Sequence, residues 1–159
     1  MMDRITTRSA TVADLDTLLQ FEQGIVAAER PFDPTLKAGE IHYYDLKALI
    51  LSPEAEVVVA IAGEEIVGSG YAQIREAKDY LRHSRFAYLG FMYVKPAFRG
   101  QGINQKVLDA LTIWIKEQDI AEIRLEVYAE NQGAKRAYEK AGFTPNLLEM
   151  RMNLEEMDL

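Results

Sequence analysis

The strongest constraint in this sequence is a junction near its middle. Phe86–Val94 is almost continuously apolar. It runs into Lys95-Pro96-Ala97-Phe98-Arg99-Gly100-Gln101-Gly102, after which Ile103, Val107, Leu108, Leu111, Trp114 and Ile115 recur at helical spacing. A short apolar run without alternation suits a strand covered on both faces. The later spacing is that of an amphipathic helix, and the proline and glycines between them break both patterns. Strand, loop and helix in that order belong to a sheet with helices packed on its faces. In open α/β sheets, ligands gather at such strand-to-helix loops.

The flanking sequence extends the pattern. Arg4–Arg8 reads as a first strand. Thr11 caps a helix, with Asp14 three residues on, and Leu15, Leu18, Leu19, Ile25 and Val26 give that helix an apolar face until Pro31 and Pro34 stop it. Tyr44–Leu51 reads as a second helix ending at Ser52-Pro53. Val57–Ala62 and Ile66–Ile74 flank a Gly63-Glu64-Glu65 turn, a hairpin signal. Ala77–Arg85 is a polar loop. Ala121–Tyr128 alternates as a strand, and Ala134, Ala137, Tyr138 and Ala141 share a helix face that Gly142 ends. Leu148, Met150, Met152 and Leu154 alternate with polar residues as a final strand. The expected order is β-α-α-β-β-β-α-β-α-β in one mixed α/β sheet, with residues 1–159 as a single domain.

Composition excludes several classes of function. The 159 residues contain no cysteine, which removes disulfide frameworks, thiolate metal sites and cysteine nucleophiles. His42 and His83 lie far apart without ligand spacing, so no metal site is expected. A net charge of -7 disfavours nucleic acid as a partner. No apolar stretch is long enough to span a membrane, and the start of the chain lacks a signal-like apolar block, so a cytoplasmic location is expected.

The 99–105 segment has its own chemistry. Glycine lets a backbone approach a ligand closely, and a helix start offers unpaired N–H groups with partial positive charge. Together with Arg99 they suit a phosphate or pyrophosphate. The plainer alternative is a loop whose glycines only make the turn. The segment is neither a Walker loop nor the dinucleotide fingerprint.

Tyr93-Val94-x-Pro-x-x-Arg99-Gly100-x-Gly102-Ile103 resembles the acetyl-CoA motif of the GNAT superfamily, the acyl-CoA-dependent N-acyltransferases. Leu125-Glu126-Val127, Asn131 and Ala137-Tyr138-Glu139-Lys140-Ala141-Gly142-Phe143 resemble the second half of the same family at the matching spacing. One departure is Asn104, where the family has Gly or Ala. The resemblance implies that Met92, Tyr93 and Val94 pair through their backbone with the pantetheine arm, as in β-augmentation. It implies that the N–H groups of Gly100, Gln101, Gly102, Ile103, Asn104 and Gln105 hold the pyrophosphate. Asn131 would bond the pantetheine amide, or serve as a plain helix N-cap.

The implied reaction is direct attack of a primary amine on the thioester of acetyl-CoA, with no metal. A lysine-like amine must first be neutralised, at about 4.6 kcal/mol at pH 7, and an α-amino group at about 1 kcal/mol. By resemblance, Tyr138 is the candidate acid for the leaving sulfur. Its apolar helix face also allows a core role. Family carboxylates on the fourth strand fall here at Gly90 and Phe91, neither of which takes a proton. Glu126 is the next candidate base. Its alternatives are pairing with Arg124 or orienting a loop. The acceptor side carries Glu22, Glu29, Arg30, Phe32, Asp33, Glu40, His42, Tyr43 and Tyr44, an acidic and aromatic set suited to a cationic amine. Two other readings stand beside the transferase: an acyl-CoA-binding module of the same fold without turnover, and an unrelated nucleotide-binding domain. The Met150, Met152, Leu154 strand would serve either as an edge pairing two copies into a homodimer or as an inner strand.

Overall fold

The computed structural model describes residues 4–156. They fall into two compact units, one ending at Glu126 and one beginning at Val127. The first unit contains strand β1 (Ile5–Ser9), helices α1 (Leu15–Glu29) and α2 (Leu46–Leu51), strands β2 (Ala55–Ala62), β3 (Glu65–Glu76) and β4 (Arg85–Val94), helix α3 (Ile103–Glu117) and strand β5 (Ile123–Arg124). The sheet order is β1-β2-β3-β4-β5. The first three pairings are antiparallel and β4 runs parallel to β5.

Helices cover both faces. Val57, Val59, Tyr71 and Phe91 bury against Leu18, Phe21, Ile25, Leu46 and Leu49 of α1 and α2. On the opposite face, β3 carries Gly68 beneath Ile103 and Gly70 beneath Val107 and Leu111 of α3. Leu18, Val107 and Leu111 are wholly buried, and each contributes roughly 1.5–3 kcal/mol of hydrophobic stabilisation. A 3-10 turn at Val12–Asp14 leads into α1. There the buried Asp14 carboxylate accepts both Arg8 terminal nitrogens, at 2.8 and 2.9 Å, and the Thr11 N–H at 2.8 Å.

The second unit holds helix α4 (Gln132–Lys140) and a 3-10 turn at Leu154–Glu156. The expected final strand does not form among the described residues. Leu148, Met150, Met152 and Leu154 are 71, 83, 67 and 69% exposed. Alternation yields a strand only where one face is covered and an edge is paired, and these residues have neither. The strand expected at Ala121–Tyr128 shrinks to Ile123–Arg124, which pairs with β4 only at Ala87 and Tyr88. The second helix begins at Leu46 rather than Tyr44, with Asp45 as its N-cap accepting the Ala48 N–H at 3.1 Å.

Candidate active site

The site is built on β4. Between the pairs Ser69↔Tyr93 and Tyr71↔Gly90, β4 spends one more residue than β3, which is a β-bulge. Phe91 sits within it at φ 58, a conformation uncommon for a bulky side chain. The buried Ser69 hydroxyl donates to the Phe91 carbonyl at 3.0 Å and steadies the bulge. Gly90 is required by close approach: a Cβ there would lie 2.1 Å from the Tyr71 ring. The ring therefore stands where a carboxylate was sought. Among the described residues β5 pairs with β4 only at Ala87 and Tyr88. From Leu89 to Val94 no strand of the described residues pairs with the edge turned away from β3. That stretch spans roughly 17 Å.

The open edge leads into the glycine loop. Gly100 and Gly102 adopt φ 79 and 77, and an added Cβ at either would meet nothing within 4 Å. Both glycines are thus explained by backbone geometry, and the space above them is open. Gly102 is the N-cap of α3, with no side-chain cap bond to the first turn. Ile103, 1% exposed, anchors the turn from beneath, so the N–H groups of Ile103, Asn104 and Gln105 lie ahead of the helical ladder. Asn104 is half-buried, and the Gln105 side chain turns along the helix to Asp109 at 2.8 Å. Gln101 is exposed. Arg99 is exposed and bends back, its Nε donating to the Val94 carbonyl at 3.1 Å. Lys95 pairs with Glu65 at 2.8 Å.

A second loop approaches β4 from α1. Glu22 is wholly buried on the apolar face of that helix. One carboxylate oxygen accepts the N–H groups of Tyr43 and Tyr44, at 2.8 and 2.9 Å. The other meets His42 Nδ1 at 2.8 Å. This carboxylate, with Glu40, raises the His42 pKa, the hydrogen bond to Glu22 being the largest cause. Holding Tyr43 and Tyr44 by their amides is why α2 starts late. Asp33 is also buried, capping Thr35, and Arg30 donates to the Lys37 carbonyl. Part of the acidic set expected to greet an amine is therefore structural. Glu29 differs: burial, and secondarily Asp33, raises its pKa, against a hydrogen bond with Tyr43.

Aromatic rings fill the space between loop and sheet. Tyr44 packs on Tyr71 and Phe91, each at 5.5 Å between centroids, and Tyr71 meets Tyr88 edge-on. The Arg75 guanidinium lies 3.9 Å above the Tyr88 ring. Burial is the largest cause raising the pKa of Tyr44, Tyr71 and Tyr88, so all three stay neutral phenols. A cleft of about 320 Å³ opens beside them, lined by Tyr43, Tyr44, Asp45, Tyr71, Gln73 and Arg75. Glu126 is exposed and accepts the Tyr88 hydroxyl at 3.1 Å. Arg124 instead pairs with Glu122 at 3.3 Å and lies over Phe86.

In the second unit, Asn131 is the N-cap of α4, accepting the Ala134 N–H at 3.2 Å. Tyr138 is half-buried and packs edge-on against Phe143 at 5.8 Å.

A model of the acetyltransferase (GNAT) family matches residues 22–143. The chain belongs to the GNAT family of acetyltransferases. Among curated proteins it is 27% identical over 158 residues to an aminoglycoside N(6')-acetyltransferase type 1 of Stenotrophomonas maltophilia, covering 94% of each chain. Among solved structures, a tetramutant of the BH1408 protein from Bacillus halodurans superposes with a TM-score of 0.83 at 21% identity, over 94% of this chain and 99% of that one. A predicted acetyltransferase from Clostridium acetobutylicum, solved with acetyl-CoA, gives a TM-score of 0.70 at 20% identity, over 97% and 99% of the two chains. These structural likenesses speak to fold. The GNAT family uses acetyl-CoA. Among the described residues no group of three or more His, Asp or Glu is placed to hold a metal ion. None of their helices is long and apolar enough to cross a membrane.

For a GNAT chain, the structure gathers Met92, Tyr93, Val94, Arg99 and Gly100–Gln105 on one continuous strand, loop and helix, and ties Glu126 to β4 through Tyr88. Asn131 and Tyr138 share the second unit. Sequence reasoning left Glu22 as one of several acidic residues. The signal was present: Glu22 falls within the buried stripe of Leu18, Phe21, Ile25 and Val26. A carboxylate inside an apolar stripe needs buried partners. Tyr71 and Tyr88 were hidden inside apolar strand runs.

Proposed function

We propose that residues 1–159 act as one N-acetyltransferase domain that moves the acetyl group of acetyl-CoA to a primary amine by direct attack in a ternary complex. The supporting observation is the edge of β4 turned away from β3, which no strand of the described residues pairs from Leu89 onward and which passes the bulge at Phe91 on its way to the uncapped amides of α3. A pantetheine arm carries peptide-like amides, so it adds to a free strand edge as a peptide does. Its diphosphate then reaches Gly100–Gln105, where main-chain N–H groups and the helix dipole favour negative charge. Arg99 retains terminal N–H groups for the same anion. Asn131 serves the arm in addition to capping α4.

In the reaction, the amine nitrogen bonds to the thioester carbon and the carbon–sulfur bond breaks. The amine loses a proton and the thiolate gains one. Tyr138 supplies the sulfur's proton. Glu126 is exposed. It acts by receiving the amine proton through water, with Tyr88 holding its carboxylate. The relative that acts on an aminoglycoside supports an amine-bearing sugar as acceptor class. The tyrosine rings and Asp45 of the cleft offer such a cation π faces and a carboxylate, with Arg75 on the same wall stacked over Tyr88.

The test is thiol release from acetyl-CoA over an amine panel that includes kanamycin, spermidine and free amino acids. Release with at least one amine is expected. Tyr138→Phe should slow it 10²–10⁴-fold, the usual range for lost general-acid help, with little change in acetyl-CoA affinity. Unaltered turnover removes Tyr138 from the reaction, and a Glu126→Gln pH–rate profile matching wild type removes Glu126. Tight acetyl-CoA binding with no release for any amine would favour the non-catalytic binding module, a reading that Gly90 in place of a carboxylate keeps open.

A further inference from the structure

We propose that the Tyr44 hydroxyl contacts the acetyl carbonyl oxygen of the donor, and that Glu22 is the positioning residue that puts it there. This rests on the reading that the donor lies along β4. Three features of the first unit carry it. Glu22 is wholly buried, and both its oxygens are spent on the loop: one takes two successive main-chain N–H groups, the other His42. An apolar residue of similar size would fill the same space without the desolvation cost of a carboxylate. What the carboxylate adds is a fixed direction for the chain at Tyr44.

The Tyr44 ring is then clamped between Tyr71 and Phe91. Phe91 is the residue at φ 58 in the bulge, and it lies on the stretch of β4 beyond its last pairing with β5 at Tyr88. Burial keeps the Tyr44 phenol neutral, so its hydroxyl carries a hydrogen to donate. Tyr44 is half-buried and lines the cleft, so a ligand reaches it. With the diphosphate at α3 and the arm running back along β4, the acyl end of the donor arrives at the bulge. There the hydroxyl meets the acetyl carbonyl. Coenzyme A itself has no acetyl group and takes no such bond.

Calorimetric titration with acetyl-CoA and with CoA separates these cases for wild type, Tyr44→Phe, Glu22→Gln and the double variant. Tyr44→Phe should weaken acetyl-CoA about fivefold, the value of one neutral hydrogen bond, and CoA by less than about twofold. Glu22→Gln should lose the same preference, and the double variant should be no weaker than Tyr44→Phe alone. If Glu22→Gln does not fold, Glu22→Asp takes its place, since its shorter reach also releases the loop. Equal weakening of both ligands, no weakening, or independent multiplication of the two effects overturns the proposal. Wild-type protein that binds neither ligand removes the donor reading and this inference together. Wild-type protein that binds both, with Tyr44→Phe unchanged, removes only this inference.

Discussion

The 41–45 loop and the 99–102 loop both serve β4, and they are held in opposite ways. The first is gripped by a buried side chain. Glu22 satisfies two of its amides and one ring nitrogen, and aromatic packing on Tyr71 and Phe91 completes the hold. The second is shaped by its own backbone, with two glycines at positive φ and an N-cap that has no side-chain bond. A loop with its polar groups already paired is rigid and has nothing to offer an anion. A loop with amides ahead of a helix and open space above it has binding capacity still to be used. Substitutions that break the grip on the first should therefore register mainly in stability, the Tyr44 hydroxyl aside, and those in the second mainly in ligand affinity.

Glu22→Leu should give the largest effect. It strands the Tyr43 and Tyr44 amides, and at roughly 1–3 kcal/mol for each unsatisfied group the loss should be about 3 kcal/mol, read as a lower urea midpoint. A loss below about 1 kcal/mol would mean that water replaces the carboxylate and that the loop is not gripped as described. Gly102→Ala should be milder in stability, costing about 1–2 kcal/mol for a left-handed residue with a Cβ. Its mark should be a weakening of acetyl-CoA binding by about tenfold or more, as one misdirected charge-assisted hydrogen bond would produce. Ordinary affinity in that variant would dissolve the contrast between the loops. His42→Ala should be smallest, since the ring is largely exposed. Its folded pKa is raised, so the contribution it makes is fully present below its ordinary value of 6.5 and fades as pH rises through the folded value. The difference in melting temperature between His42→Ala and wild type should be greatest near pH 5.5 and vanish by pH 9. A constant difference would mean that the ring acts by packing alone.

This contrast also explains what the sequence disclosed. The 86–103 segment was legible because it depends on local things: an apolar run, breakers at fixed positions and a helical period. Phe86–Val94, Gly100, Gly102 and Ile103 stand where those signals place them. The 41–45 loop and the rings around it depend on partners far apart in the chain. Nothing local to Tyr44 says that its amide reaches a glutamate 22 residues earlier, or that Gly90 is glycine because the Tyr71 ring crosses it. The expectation of a last strand at Leu148–Leu154 failed for a related reason. Alternation records which residues would share a face but not whether anything covers that face. Ile123–Arg124 shows the same limit, since the alternation through Tyr128 does not say where pairing with β4 ends.

The most direct measurement follows backbone amide resonances of isotope-labelled protein during titration with acetyl-CoA. The largest shifts should fall on Gly100, Gly102, Ile103, Asn104 and Gln105, with a second group at Met92–Val94. Large shifts elsewhere while these amides stay still would contradict the proposed donor site, and so would no shift at all.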